Sequence, residues 1–368
     1  MLGLFGQQVR VHRRSINLWA QIRQRADPRY SRRYGGVVAP NDLPDDLRLS
    51  VLDRSRTRHG ESHAAALEGT LARAERADAL GFHRYWTAEH HAVPGIASGS
   101  PPLLIAAAAA RTERIRLGSG GVMLPNHRPL IVAEQFAMLE AMFPGRIDLG
   151  VGRSLGFTAP VREALGVTDY ETDAFFRDIA AVQDFLYGRG PVTALPVVEN
   201  PPPVFVLATG RGLEVAARAG LPVVVGGPRL LADPSPLNHY RETFRPSGAI
   251  PEPYVVVSLE VMVADSTEAA RNLLLPEAWA MVESRETGAF GPLRSPEDVL
   301  DRKFRPQQLR RMEEWMAGAV HGDREKVAGE LAALVERTKA DELMASTSTY
   351  DRDELARADT ALAELLRW

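Results

Sequence analysis

Leu47-Arg48-Leu49-Ser50-Val51-Leu52-Asp53 alternates apolar and polar side chains, the two-residue period of a strand. Residues 64–80 follow with Leu67, Leu71, Ala74, Ala77, Ala79 and Leu80 on one helical stripe, and Gly81 ends it. Residues 82–87 read as the next strand, and Pro101 and Pro102 open an alanine-rich helix that ends near Thr112. The beat continues with strands over 115–118, 147–150, 204–207, 222–225, 254–263 and 342–345. Between and after them, helices are expected over 129–143, 173–186, 212–219, 236–244, 267–275, 323–338 and 351–366.

Short strands separated by helices imply parallel pairing through right-handed crossovers. Eight such units across residues 47–368 predict an α/β chain folded as a (β/α)8 TIM barrel, for which ~250 residues is typical and insertions are common. An open doubly wound sheet is the competing architecture, but it carries a glycine-rich turn after its first strand, and 53–60 has none. The stretch 276–322, with Gly288, Gly291, Pro292 and Pro296, is long enough to be read as a lid-like insertion.

Composition narrows the function classes. At 45% hydrophobic and 25% charged residues, the 368-residue chain is ordinary globular material, which excludes wholesale disorder. Cysteine is absent, so disulfides, thiolate metal centres and cysteine nucleophiles are excluded. A net charge of -3 argues against nucleic acid as a partner of the whole molecule. No apolar run reaches the ~20 residues of a membrane span, and no signal core opens the chain, so a cytoplasmic protein without a membrane partner is expected.

Charge is unevenly spread. Residues 1–39 hold eight arginines and one acid, Asp27, with a ragged apolar stripe over 9–26. A basic N-terminal extension over 1–46 is therefore expected to pack on the acidic remainder of the molecule or on a subunit neighbour, rather than to bind an acidic partner, nucleic acid or a membrane surface.

In such a barrel, chemistry sits in the loops after the strands' C-terminal ends. Glu89-His90-His91 follows the second strand and fits a metal ligand set, a catalytic acid or base, or plain loop residues. Adjacent residues of an extended chain face opposite ways, so His90 and His91 do not easily share a metal. With no further ligand cluster evident, no metal is expected. One imidazole facing the mouth suits proton transfer near neutral pH, with Glu89 fixing its tautomer or capping a helix. Gly120 and Gly121, within Gly118-Ser119-Gly120-Gly121, let a flat ligand lie on the backbone or simply make a tight turn. Arg153 follows Gly150-Val151-Gly152. Thr209-Gly210-Arg211-Gly212 precedes a helix, where amides, a hydroxyl and a guanidinium suit a phosphate, unless Thr209 merely caps that helix. The alanine run 106–110 suits close approach of another helix, so a homodimer is expected.

Several of these stretches together resemble one family. Ala74-Glu75-Arg76-Ala77-Asp78-Ala79-Leu80-Gly81-Phe82, Tyr85-Trp86-Thr87-Ala88-Glu89-His90-His91 and Gly118-Ser119-Gly120-Gly121-Val122-Met123-Leu124-Pro125-Asn126-His127 are similar to the bacterial luciferase-like flavin-dependent monooxygenases. So are Ala133-Glu134-Gln135-Phe136, Phe143-Pro144-Gly145-Arg146-Ile147-Asp148-Leu149-Gly150-Val151-Gly152-Arg153 and Ala340-Asp341-Glu342-Leu343-Met344. The resemblance implies reduced FMN reacting with O2 through a C4a-peroxyflavin to oxygenate a small organic substrate, with a separate flavin reductase as partner. It implies that His90 is the catalytic histidine, and that Gly120 and Gly121 are joined by a cis peptide beneath the isoalloxazine. It also implies that Arg153 and the somewhat shortened Thr209–Gly212 loop bind the phosphate. Val122, Met123, Leu124 and Phe157 are then expected to wall the pocket and keep water out. A deazaflavin-dependent oxidoreductase and a non-catalytic flavin-binding relative are the alternatives.

Overall fold

A computed structural model describes residues 43–208, 210–227, 233–248 and 250–366. The apolar stripe over 9–26, which at sequence level suits a helix, and all of the basic extension before residue 43 lie outside them. Among the described residues the strands are β1 (Arg48–Asp53), β2 (Arg84–Thr87), β3 (Arg116–Ser119), β4 (Val122–Met123), β5 (Ile147–Gly152), β6 (Val204–Leu207), β7 (Val223–Gly226), β8 (Val255–Leu259), β9 (Val261–Val263), β10 (Val320–Gly322) and β11 (Glu342–Ala345). Eight are hydrogen-bonded in the order β3-β2-β1-β11-β8-β7-β6-β5, and pairing of β3 with β5 closes the ring. Every pair in it is parallel. The expected (β/α)8 barrel is the observed fold. β4 continues beside β5, while β9 and β10 form a separate two-stranded sheet.

The crossovers are α1 (His63–Leu80), α2 (Pro101–Ala109), α3 (Pro129–Met142), α4 (Ala159–Ala164), α5 (Thr172–Leu186), α6 (Arg211–Ala219) and α7 (Ser235–Thr243). After them come α8 (Thr267–Thr287), α9 (Pro296–Leu300), α10 (Pro306–Met316), α11 (Arg324–Thr338) and α12 (Arg352–Ala363). The first shows how local chemistry sets their ends. The Ser62 hydroxyl accepts the Ala65 N–H at 3.2 Å, and Gly81 stops α1 at φ +80°.

Two boundaries depart furthest from the sequence reading. The strand expected over 254–263 divides at Glu260, because the chain there leaves the barrel to pair Val261–Val263 with β10. The helix expected over 267–275 runs through Pro276 to Thr287. Proline inside a helix costs ~3 kcal/mol. Here Leu274, Leu275, Ala278, Trp279 and Val282 are buried against Val299, Leu309, Met312 and Met316. Burial at about 1.5–3 kcal/mol for each large side chain outweighs that penalty.

The barrel interior is layered. At the strands' N-terminal end, Arg84 donates to Asp148 at 2.6 Å and to Glu342 at 2.9 Å, and its guanidinium lies 4.8 Å over the Phe205 ring. Arg116 and the Trp86 indole also donate to Asp148, at 2.6 and 3.2 Å, and the Tyr254 and Ser50 hydroxyls donate to Glu342. Burial alone raises the Asp148 carboxyl, yet Arg84 and Arg116 hold it below the ordinary value. Above this floor lies an apolar layer of Trp86, Phe205, Val224, Val256 and Met344, with Leu52 and Leu207 against it. Gly150 is required where β5 passes β3, since a Cβ there would stand 2.1 Å from the Ser119 carbonyl oxygen.

Removing one partner of a buried ion pair strands the others. Asp148→Ala is expected to lower unfolding free energy by about 3–5 kcal/mol in urea titrations. A loss below about 1 kcal/mol would mean that the floor is not held by these charges.

Candidate active site

β2 delivers Glu89-His90-His91 to the mouth, and the strand-like alternation decides which way each points. Glu89 and His91 share a side. The buried Glu89 carboxylate accepts from His91 Nε2 at 2.6 Å, from His127 Nε2 at 2.7 Å and from the Met123 N–H at 3.0 Å. Burial pushes its pKa up, but the His127 and His91 bonds prevail and bring it down to about 2. Glu89 therefore does not fix His90, contrary to the sequence expectation; it fixes His91 and His127.

His127 is the residue that sequence reasoning missed. It stands 38 positions away and was legible only as part of the Asn126-His127 motif. Glu89, His91 and His127 bring three ligand-type atoms within 4.8 Å of one another, so the expectation of no further ligand cluster is corrected. Both imidazoles meet the same Glu89 oxygen at hydrogen-bond distance, and the other oxygen holds the Met123 amide. As described, the cluster is a carboxylate clamp joining the β2 and β4 loops.

His90 faces the other way. Its N–H donates to the Ser98 carbonyl at 2.8 Å, while its half-buried ring leaves Nδ1 enclosed and without a partner. Burial, then the charges of Arg54 and Arg56, lower its pKa to about 4, so the imidazole is neutral at pH 7. A neutral imidazole accepts a proton rather than supplying one.

The adjoining arc of the rim, after β3, β5 and β6, is built from glycines and arginines. The Gly120–Gly121 peptide after β3 is cis. A cavity of about 520 Å³ lies between Arg153 and Arg211 on its outer side and Leu52, Leu207, Val224 and Phe175 within. Arg153 donates to the Thr172 hydroxyl, and Arg211 stands 3.2 Å from Asp173. Gly210 has φ +52° and is itself the N-cap of α6, with no side-chain bond to the helix amides. Thr209 lies outside the described residues, so its expected phosphate contact is untouched by the structure. The expected apolar wall is also revised: Val122 and Leu124 pack in the main core, and Phe157 is 51% exposed.

A family model described as luciferase-like monooxygenase matches residues 47–342. The chain belongs to the luciferase-like monooxygenase family. A relative called luciferase-like monooxygenase from Escherichia coli (strain K12) is 36% identical over 313 residues, covering 83% of this chain and 92% of that protein. The crystal structure of apo-MsnO8 superposes with a TM-score of 0.80 at 29% identity, covering 87% of this chain and 98% of that one. The oxygenating constituent of 3,6-diketocamphane monooxygenase from Pseudomonas putida, solved in complex with FMN, shares the fold at TM-score 0.65 and 18% identity; the match covers 87% of this chain and 98% of that one.

The buried, neutral state of His90 is directly measurable. Its ring carbon resonances in NMR are expected to titrate with a midpoint of about 4, and a midpoint near the unperturbed ~6.5 would contradict the described environment.

Proposed function

We propose that this protein is an FMN-dependent monooxygenase acting on a small organic substrate, supplied with reduced flavin by a separate reductase. The observation that carries the reading is the shape and chemistry of the mouth. Two arginines stand at one end of a cavity walled by Leu52, Leu207, Val224 and Phe175, and Leu52 and Leu207 in turn lie against the backbone of Gly120 and Gly121. That donor set fits FMN: Arg153, Arg211 and the uncapped amides of α6 suit a phosphate, and Leu52, Leu207 and Val224 suit the apolar faces of a tricyclic ring. Reduced FMN with O2 supplies the oxidation, one oxygen atom entering the substrate and the other leaving as water with the flavin's two hydrogens.

The chain's own residues do the rest. His90, half-buried and neutral, would accept a proton during the reaction. The Glu89 clamp on His91 and His127 fixes the loop on which His90 rides. Water is excluded by the 276–322 insertion, whose Phe290 and Leu293 are buried with Val93 and Ile96 of the β2 loop. Arg56 fastens the two by donating to the Gly95 carbonyl at 2.6 Å and the Gly291 carbonyl at 3.3 Å. A homodimer would cover Leu103 of α2 and Ile131, Met138 and Met142 of α3, large apolar side chains left 49–73% exposed.

With 18O2, FMN and a flavin reductase, a screen of small organic compounds is expected to yield a product carrying one 18O atom. His90→Ala should cut its formation by about 10²–10⁴-fold. Oxygen-independent reduction with a deazaflavin, and no labelled product, would favour the alternative cofactor. Arg153→Met should weaken FMN about ten- to a hundredfold while leaving riboflavin affinity unchanged; equal losses for both ligands would remove Arg153 from the phosphate site.

A further inference from the structure

The arc facing the glycines carries a second polar constellation that the flavin reading does not use. In register, Val51 of β1 pairs with Ala345 of β11, which pairs with Leu259 of β8. Just above that rung stand Arg54, Ser346 and Glu260. Each lies two positions beyond a residue at the barrel interior or cavity, namely Leu52, Met344 and Ser258, and so shares its face. Arg54 Nη2 donates to Glu260 at 2.8 Å and to the Ser346 carbonyl at 2.8 Å. The His90 loop lies beside this segment: the His90 backbone N–H donates to the Ser98 carbonyl at 2.8 Å, and the neighbouring Ala97 N–H donates to the Ser55 carbonyl at 3.0 Å.

This cluster is balanced but unfinished. Two guanidiniums, Arg54 and Arg56, face two carboxylates, Glu260 and Glu277, through ion pairs of 2.8, 3.2 and 3.0 Å. Arg56 is turned away to hold the Gly95 and Gly291 carbonyls and stacks 4.3 Å from the Phe290 ring. Arg54 and Glu260 remain 19% and 18% exposed, yet Arg54 Nε and Glu260 Oε2 are enclosed and without partners. Buried polar atoms of this kind are rarely left unpaired, and a ligand atom or an ordered water satisfies them. A charged ligand would upset a neutral cluster in a poorly solvated place, whereas a neutral one with an acceptor and a donor completes it.

We propose that Arg54 and Glu260 anchor the substrate by an uncharged group that presents a carbonyl oxygen and an N–H side by side, the carboxamide, lactam and urea class. The carbonyl takes the Arg54 Nε hydrogen and the N–H donates to Glu260 Oε2, which places the rest of the molecule toward His90. Calling this ligand the substrate rests on the monooxygenase reading; its binding does not require flavin.

Calorimetric titration of octanamide, octanoate and octylamine into the protein, with and without FMN, tests the assignment. Octanamide is expected to bind at least about tenfold tighter than either charged analogue. Glu260→Gln keeps an oxygen for Arg54 Nη2 and sets an NH2 where Oε2 stood, so the order should invert in favour of octanoate. Arg54→Lys keeps the charge but removes the Nε donor, and should cost octanamide about tenfold. FMN affinity and melting temperature report that both variants are folded. A wild type that prefers octanoate or octylamine, or treats all three alike, overturns the proposal, as does an unchanged order in folded Glu260→Gln. Octanamide selectivity in a protein that ignores FMN would instead sink the flavin reading and leave this one standing.

Discussion

The arrangement depends on the guanidinium of Arg84, held inside the barrel between carboxylates from two other strands. Asp148 comes from β5 and Glu342 from β11, while Arg116 of β3 and Ser50 of β1 complete the same network. A charge in such a place is tolerated only with its partners fixed around it. The network thus ties together strands far apart in sequence and fills the N-terminal end with mutually satisfied groups. Trp86, on the next inward-facing position of β2, both bonds Asp148 and begins the apolar layer above it.

Beyond the C-terminal ends of the strands, Arg54 Nε, His90 Nδ1 and Glu260 Oε2 are enclosed without partners. Strand periodicity sorts the Glu-His-His side chains. Glu89 and His91 turn to one side and join His127, and His90 turns to the other. The mouth is thereby divided into an arc of glycine backbone with two arginines and an arc of ionised side chains with a neutral imidazole. Both arcs serve the proposed flavin chemistry: one as a cradle for a flat ring and its phosphate, the other as the source of a proton acceptor that is not already protonated.

All eight barrel strands were legible in the sequence, because a buried strand writes its period locally. What escaped was long-range. Glu260 reads as one more polar position in a strand of valines, and only its bond to Arg54, 206 residues away, marks the place where the chain leaves the barrel. Pro276 reads as a helix stop, and only the burial of Leu274, Leu275 and Trp279 keeps the helix going. The Glu-His-His motif was visible, but its pairing with His127 required the loop after β4 to come beside it. The glycine at position 210 looked like spacing within a phosphate loop, and is itself the helix cap.

The central claim is that one ligand spans the two arcs, and a crystal structure of the protein soaked with FMN tests it most directly. The account predicts density for the ring over Gly120–Gly121, for the phosphate against Arg153 and Arg211, and for the His90 imidazole turned toward the ring. FMN bound elsewhere with this cavity open, or a His90 ring directed away from the bound flavin, would contradict it.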